Sequence, residues 1–222
     1  LVVLADHSAS ARELFRHIPE LAAPEAMAVA LKIPPSSDAG DQTYAHQRVA
    51  AETEGNCTLI APTGSGKTEA AMLWAARNAP DGAGNTPVFY VLPYQASLNA
   101  MRSRLGDKLG QENVVLQHSR TLQALYRQLL DRKYAPSEAR RLAIREINLG
   151  RLHVSPIRVL TPYQLLRGAF QLKGHEALWT DCAGGRMIFD EIHAYEPARL
   201  GMILATVEHL TVDLGVKILV MS

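Results

Sequence analysis

The stretch Ala61-Pro62-Thr63-Gly64-Ser65-Gly66-Lys67-Thr68 constrains this chain more than any other. An apolar run, Cys57-Thr58-Leu59-Ile60, leads into it, and an Ala-rich pattern with helical spacing, Glu69 to Arg77, leads out. Strand, glycine turn and helix in that order are what a phosphate-cradling loop needs. Gly64 and Gly66 permit a tight backbone path, so that N–H groups and the positive end of the helix converge on phosphate oxygens. Pro62, Thr63 and Ser65 complete the wall of such a loop. Lys67 would reach the β- and γ-phosphates of a nucleotide, and Thr68 would offer its hydroxyl to Mg²⁺. Ala61 stands where these loops usually carry their first glycine.

With 222 residues the chain can bury one substantial core, with a small appendage. A composition 47% hydrophobic and 20% charged is that of a globular protein. No apolar stretch reaches the length of a membrane span and no signal peptide is visible, so a cytoplasmic protein without a membrane partner is expected. Cys57 and Cys182 have no metal-ligand spacing and read as reduced thiols. Leu1 in place of Met and a strand-like ending at Ser222 suggest part of something longer.

Short apolar runs recur near Cys57–Ile60, Val88–Leu92, Val114–Leu116, Ile157–Leu160, Met187–Phe189 and Lys217–Met221. Helical patterns lie between them, near Ser65–Arg77, Gln95–Leu109, Thr121–Asn148, Pro162–Phe170 and Pro197–Leu214. That alternation predicts an α/β fold, a mostly parallel sheet with helices on both faces. Ligands of such sheets bind at the carboxyl ends of strands, where the glycine turn falls. Residues 1–40 read as a helical segment ending in the linker Pro34-Pro35-Ser36-Ser37-Asp38-Ala39-Gly40, and residues 41–222 as the α/β domain.

Two further features fit a nucleotide site. In Met187-Ile188-Phe189-Asp190-Glu191-Ile192-His193 an apolar strand ends in two carboxylates. Asp190 would hold Mg²⁺, directly or through water, and Glu191 would polarise the attacking water. Twenty residues before Lys67, the amide of Gln47 could both donate to and accept from adenine, with Tyr44 stacking on the base. Charge is uneven as well. Arg102 to Arg158 holds twelve Lys and Arg against five Asp and Glu, within a chain whose net charge is +1. A face for a polyanion and a solvated helical surface both account for that excess.

Gln47, the Ala-x-Thr-Gly-x-Gly-Lys-Thr loop, the Asp-Glu-x-His box and the strand ending at Ser222 resemble motifs Q, I, II and the start of III of superfamily 2 helicases. Tyr90-Val91-Leu92-Pro93-Tyr94-Gln95-Ala96-Ser97-Leu98-Asn99-Ala100-Met101 resembles motif Ia of the CRISPR-associated Cas3 helicases. Val159-Leu160-Thr161-Pro162-Tyr163-Gln164-Leu165-Leu166 resembles their motif Ic, and Asp190-Glu191-Ile192-His193-Ala194-Tyr195 their motif II. The similarity covers Gln42 to Ser222. It implies a RecA-like P-loop domain with Lys67, Asp190 and Glu191 at the centre of ATP hydrolysis. It also implies that Pro93, Asn99 and Thr161 lie near the path of a single DNA strand, gripping sugar-phosphate. His193 and Ser222 would link the ATP site to motif III.

The same resemblance implies a second RecA-like domain of the same protein, bearing an arginine finger, and recruitment by a guide-RNA surveillance complex. Without that domain, the expectation is modest nucleotide binding, poor hydrolysis and no unwinding. Leu1-Val2-Val3-Leu4-Ala5-Asp6-His7-Ser8-Ala9-Ser10 resembles the closing helix of an HD nuclease domain; with no His-Asp pair present, no nuclease metal is expected. Two other readings remain: an RNA helicase of the same superfamily, and a nucleotide-binding module without turnover. His193, where many DEAD-type RNA helicases carry Asp, argues against the first. Intact Lys67 and Glu191 argue against the second.

Overall fold

The computed structural model describes residues 23–33, 45–80, 86–117, 126–127, 129–131, 133–151, 155–172 and 175–222. Strands β1 (Cys57–Leu59), β2 (Val88–Val91), β3 (Val114–Gln117), β4 (Ile157–Leu160), β5 (Arg186–Phe189) and β6 (Lys217–Met221) make one six-stranded sheet. Their spatial order is β1-β6-β5-β2-β4-β3, and every neighbouring pair is parallel. The helices described are α1 (Pro24–Ala30), α2 (Ala45–Glu52), α3 (Lys67–Arg77), α4 (Gln95–Leu109), α5 (Pro136–Arg151), α6 (Pro162–Ala169), α7 (His175–Cys182) and α8 (Pro197–Val212).

All four residues of β2, β4 and β5 are buried, which explains why these strands read as apolar runs, interrupted only by Arg158 in β4 and Arg186 in β5. Side chains alternate across the sheet, so Val88 and Tyr90 enter one core and Phe89 and Val91 the other. The first core takes Ala50 of α2, Ala70 to Ala76 of α3, and Leu98 and Leu105 of α4. The second takes Leu165 of α6, Leu178 and Cys182 of α7, and Ile203 and Leu210 of α8. Helices therefore cover both faces, as the alternation predicts. Met27 of α1 and the adjoining Leu31 also sit in the first core, so this part of the N-terminal segment packs as part of the same body.

One expected helix needs correction. Thr121–Asn148 is not a continuous helix: Lys133 adopts φ 65°, and α5 begins only at Pro136. The Lys133 N–H donates to Leu130 O at 2.9 Å and the Tyr134 N–H to Leu129 O at 3.2 Å. That pair of bonds is a Schellman closure, with lysine where glycine is usual. Residues 121–125 lie outside those described. Ala139 and Ala143 of α5 pack with Leu129 in a small separate cluster. Helices α2 and α7, each eight residues long, carry no distinct sequence signal and were not expected.

Two arginines inside the sheet have specific partners. Arg158 of β4 donates to Asp181 Oδ2 of α7 at 2.7 Å and lies over the Phe89 ring at 5.4 Å. Arg186 of β5 donates to Ala75 O at 2.9 Å and to Thr86 O, and burial lowers its guanidinium pKa to about 10.

Candidate nucleotide site

The glycine loop leaves the carboxyl end of β1 and closes on itself, the Ser65 N–H donating to Pro62 O at 3.2 Å. Gly64 and Gly66 both take φ +82°, the left-handed region that side chains disfavour. Gly66 is the N-cap of α3, which begins at Lys67 with its first N–H groups lacking intrahelical acceptors. Thr68 is buried and Lys67 half-buried, while Pro62, Thr63 and Gly64 are exposed. Ser65 Oγ and Gln47 Oε1 are buried without a hydrogen-bond partner. Such orphaned polar atoms beside a glycine turn are what a bound polar ligand would satisfy.

Gln47 sits otherwise than a free base-selecting amide would. It is 2% exposed on α2, and its Nε2 donates to Gly66 O at 3.3 Å. A Cβ at Gly66 would stand 2.3 Å from that same nitrogen. The amide thus wedges the loop from behind, filling the space that glycine leaves. Tyr44 lies outside the described residues.

Asp190 follows β5 directly and is 8% exposed, with its N–H donating to Val91 O at 3.0 Å. Tyr90 of β2, fully buried, donates its hydroxyl to Asp190 Oδ2 at 2.9 Å. The same phenolic oxygen lies 3.5 Å from Thr68 Oγ1. A phenol has one proton, so the carboxylate accepts it and the Thr68 hydroxyl faces the oxygen's lone pairs. The end of the glycine loop and the acidic strand end therefore meet at one atom. Burial raises the Asp190 pKa, against the opposing Tyr90 hydrogen bond and the nearby Lys67 charge. Burial and the Asp190 charge likewise hold the Tyr90 pKa well above its usual value. Tyr90 carries no sequence signal of its own within the stretch that resembles motif Ia; its alternation toward α3 is what brings it to the site.

Thr68 and Asp190 present hard oxygen donors from facing elements, a set that suits Mg²⁺. No group of three or more His, Cys, Asp or Glu with metal-holding geometry occurs among the described residues. A cation here would complete its shell with phosphate oxygens and water, as Mg²⁺ at nucleotides does.

Beyond Asp190 the chain turns sharply. Glu191 takes φ 53°, a left-handed conformation unusual for a non-glycine residue. His193 lies 3.0 Å from Glu191 Oε2 through Nε2 and 2.9 Å from Ser222 Oγ through Nδ1. A neutral ring satisfies both, donating from Nε2 and accepting at Nδ1. Ser222 is tied in turn to β1, its N–H donating to Leu59 O at 3.2 Å and its carbonyl accepting from Ala61 N–H at 3.4 Å. Glu191, His193, Ser222 and the start of the glycine loop thus form one continuous chain of contacts.

The residues expected along a nucleic-acid path sit differently from one another. Pro93 and Thr161 leave β2 and β4, neighbouring strands in register at Val91 and Leu160. Asn99 is exposed on α4, but Thr161 is 2% exposed, so its side chain does not lie on open surface. The Arg102–Arg158 excess is also not all available. Arg158 is buried against Asp181, and Arg104 and Lys108 bond Glu69, so these charges are held by intramolecular carboxylates.

The family model of the DEAD/DEAH box helicases matches residues 40–222. The chain belongs to that family. This helicase domain is 30% identical over 168 residues to the CRISPR-associated nuclease/helicase Cas3 of Methanothermobacter thermautotrophicus, covering 74% of this chain and 19% of that protein. It is also 30% identical over 194 residues to the CRISPR-associated endonuclease/helicase Cas3 of Thermus thermophilus, covering 79% and 21%. The chain thus spans about a fifth of the length of these relatives. The helicase fold is shared with the crystal structure of T. fusca Cas3-AMPPNP, with a TM-score of 0.63 at 21% identity over 94% of this chain and 23% of that one. No helix among the described residues is long and apolar enough to cross a membrane.

Proposed function

We propose that this helicase domain is the first RecA-like half of a Cas3-type translocase that hydrolyses ATP to move along single-stranded DNA in the cytoplasm. The observation that carries this reading is the meeting of Thr68 and Asp190 at the Tyr90 hydroxyl. A glycine loop and an acidic strand end brought to one point have the chemistry of a triphosphate site. Residues 41–222 form the motor half, and residues 1–40 a preceding helical segment and linker.

Within that site Gly64, Ser65 and Gly66 give the phosphates a backbone cradle, and Lys67 sets its ammonium against the β- and γ-oxygens. Thr68 and Asp190 would hold Mg²⁺, which would supply neutralising positive charge to the phosphates. Glu191 accepts a hydrogen bond from the attacking water and takes up its proton. His193 fixes the Glu191 carboxylate on one side and reports through Ser222 to the loop on the other. Gln47 holds the loop in shape, and Tyr44 is placed by sequence beside the base.

Pro93, Asn99 and Thr161 mark the DNA side of the domain. The partners in this reading are single-stranded DNA, a second RecA-like domain and a guide-RNA surveillance complex; the names of the Cas3 relatives support the CRISPR association. A transition-state arginine supplied by the second RecA-like domain would be worth roughly 10³–10⁵ in rate. Lys67→Ala in the full-length protein tests the site: ATPase activity should be lost, and unchanged activity would overturn the assignment. Stimulation of the wild-type ATPase by single-stranded DNA over RNA is expected; the reverse order would make it an RNA motor.

A further inference from the structure

We infer that Tyr90 is a positioning residue for Mg²⁺, orienting the Asp190 carboxylate and tying it to Thr68 before a nucleotide arrives. The inference rests on the reading that Thr68 and Asp190 hold the ion.

Three observations lead there. First, a tyrosine in the middle strand of a sheet needs only its ring to fill the core, and phenylalanine would pack as well. The hydroxyl is therefore a separate feature, and a buried one requires a partner. Tyr90 is 0% exposed, and its partner is the one carboxylate of the site that is itself buried. Second, the terminal torsion of an aspartate is broad and roughly two-fold, so an unanchored carboxylate samples many planes. The 2.9 Å bond from Tyr90 to Oδ2 selects one of them.

Third, the phenolic oxygen also lies 3.5 Å from Thr68 Oγ1. Thr68 lies in the first turn of α3 and Asp190 directly follows β5, while Tyr90 belongs to β2, which pairs directly with β5. In register, Tyr90 stands opposite Ile188, two residues before Asp190. The sheet thus fixes the phenol against the acid, and the phenol fixes the acid against the loop. An ion entering between Thr68 and Asp190 meets oxygens already oriented, so less ordering is left for binding to accomplish.

The test uses the full-length protein and a fluorescent ADP analogue as probe, first in EDTA and then titrated with MgCl₂. Tyr90→Phe removes one oxygen and keeps the ring, and thermal unfolding without ligand checks that the fold survives. Affinity in EDTA should stay within about twofold of wild type, while the Mg²⁺ concentration at half-effect rises roughly three- to tenfold, the worth of one net hydrogen bond. In an Asp190→Asn background the same change should leave the Mg²⁺ half-point within about twofold, because the oriented group is gone. An unchanged Mg²⁺ half-point in Tyr90→Phe, or an equal loss of affinity with and without Mg²⁺, overturns the inference. If Asp190→Asn itself leaves the Mg²⁺ response intact, the assignment of the ion's ligands fails instead.

Discussion

Arg104 of α4 donates to both carboxylate oxygens of Glu69, at 2.8 and 3.1 Å. Glu69 directly follows Thr68, so this bond ties the nucleotide loop's helix to the helix that follows β2. Lys108, one turn beyond Arg104, donates to the same carboxylate at 2.7 Å and to Leu31 O at 3.3 Å. Three segments distant in sequence therefore close on one acid with a 10% exposed side chain. Arg104 and Lys108 remain partly open to water, at 48% and 29%, which screens the charge. Glu69→Ala should cost about 1–2 kcal/mol, between an exposed pair and a fully buried one, as read from urea unfolding.

The same acid gives a pH signature. Burial pushes the Glu69 pKa up, but the hydrogen bonds from Lys108 and Arg104 outweigh it and the net shift is downward. A carboxyl with a depressed folded pKa contributes stability above its unfolded pKa of about 4.3 and loses it as pH falls through the folded value. The urea midpoints of wild type and Glu69→Gln should thus differ by a constant amount above about pH 5. Below about pH 4 they should converge. A difference that grows on acidification would show the ion pairs to be net destabilising.

Gly66 and Gln47 make a steric pair that can be separated by experiment. Gly66→Ala meets two penalties: the left-handed φ of +82° and a Cβ 2.3 Å from Gln47 Nε2. Together they should cost roughly 1–3 kcal/mol in urea unfolding. Adding Gln47→Ala removes the clash and leaves the backbone strain. The double variant should recover only part of the loss relative to Gln47→Ala alone; full recovery would mean that φ at this position is not constrained.

Asp181 and Arg158 test how much of the basic stretch is structural. Asp181→Ala deprives a fully buried guanidinium of the carboxylate it bonds at 2.7 Å. It should destabilise the domain by about 3–5 kcal/mol, measured in urea, because desolvated charge is costly. Binding of the folded full-length protein to single-stranded DNA should not change its salt dependence. A steeper salt slope would put the Arg158 guanidinium released from Asp181 at the DNA instead.

What the sequence made legible follows a physical divide. The central strands were readable because burial on both faces demands apolar runs, and the glycine loop because φ +82° at two positions demands glycine. Helix ends were less so. Lys32, Lys133 and Gln171 all take positive φ where glycine would have marked the stop, each accompanied by a Schellman pair of backbone bonds. The break at Lys133 was missed for that reason. Side-chain roles fixed by register were hidden too. Nothing in Val88-Phe89-Tyr90-Val91 reveals that Tyr90 reaches Asp190, a hundred residues on, until β2 pairs with β5. Nor does the charge count reveal which arginines are buried.

In the proposed site, Glu191 sets stability against chemistry at a single position. Its φ of 53° places a residue with a Cβ where glycine is at ease, at a cost of order 1 kcal/mol. Side chain and strain are both kept at the point where the chain turns from Asp190 toward His193, and the Glu191 carboxylate is held there by the His193 ring at 3.0 Å. Glu191→Gly should relieve the strain and raise the urea midpoint, worth up to about 1 kcal/mol, less whatever the added freedom of the unfolded chain removes. ATP hydrolysis by the full-length protein should fall roughly 10²–10⁴-fold, the range for loss of a general base. Glu191→Gln separates the two effects, since it keeps the backbone strain and removes the charge: hydrolysis should fall as far, with the midpoint unchanged. A glycine variant as unstable as the glutamine variant would place the strain elsewhere, and one that still hydrolyses ATP at the wild-type rate would remove Glu191 from the chemistry.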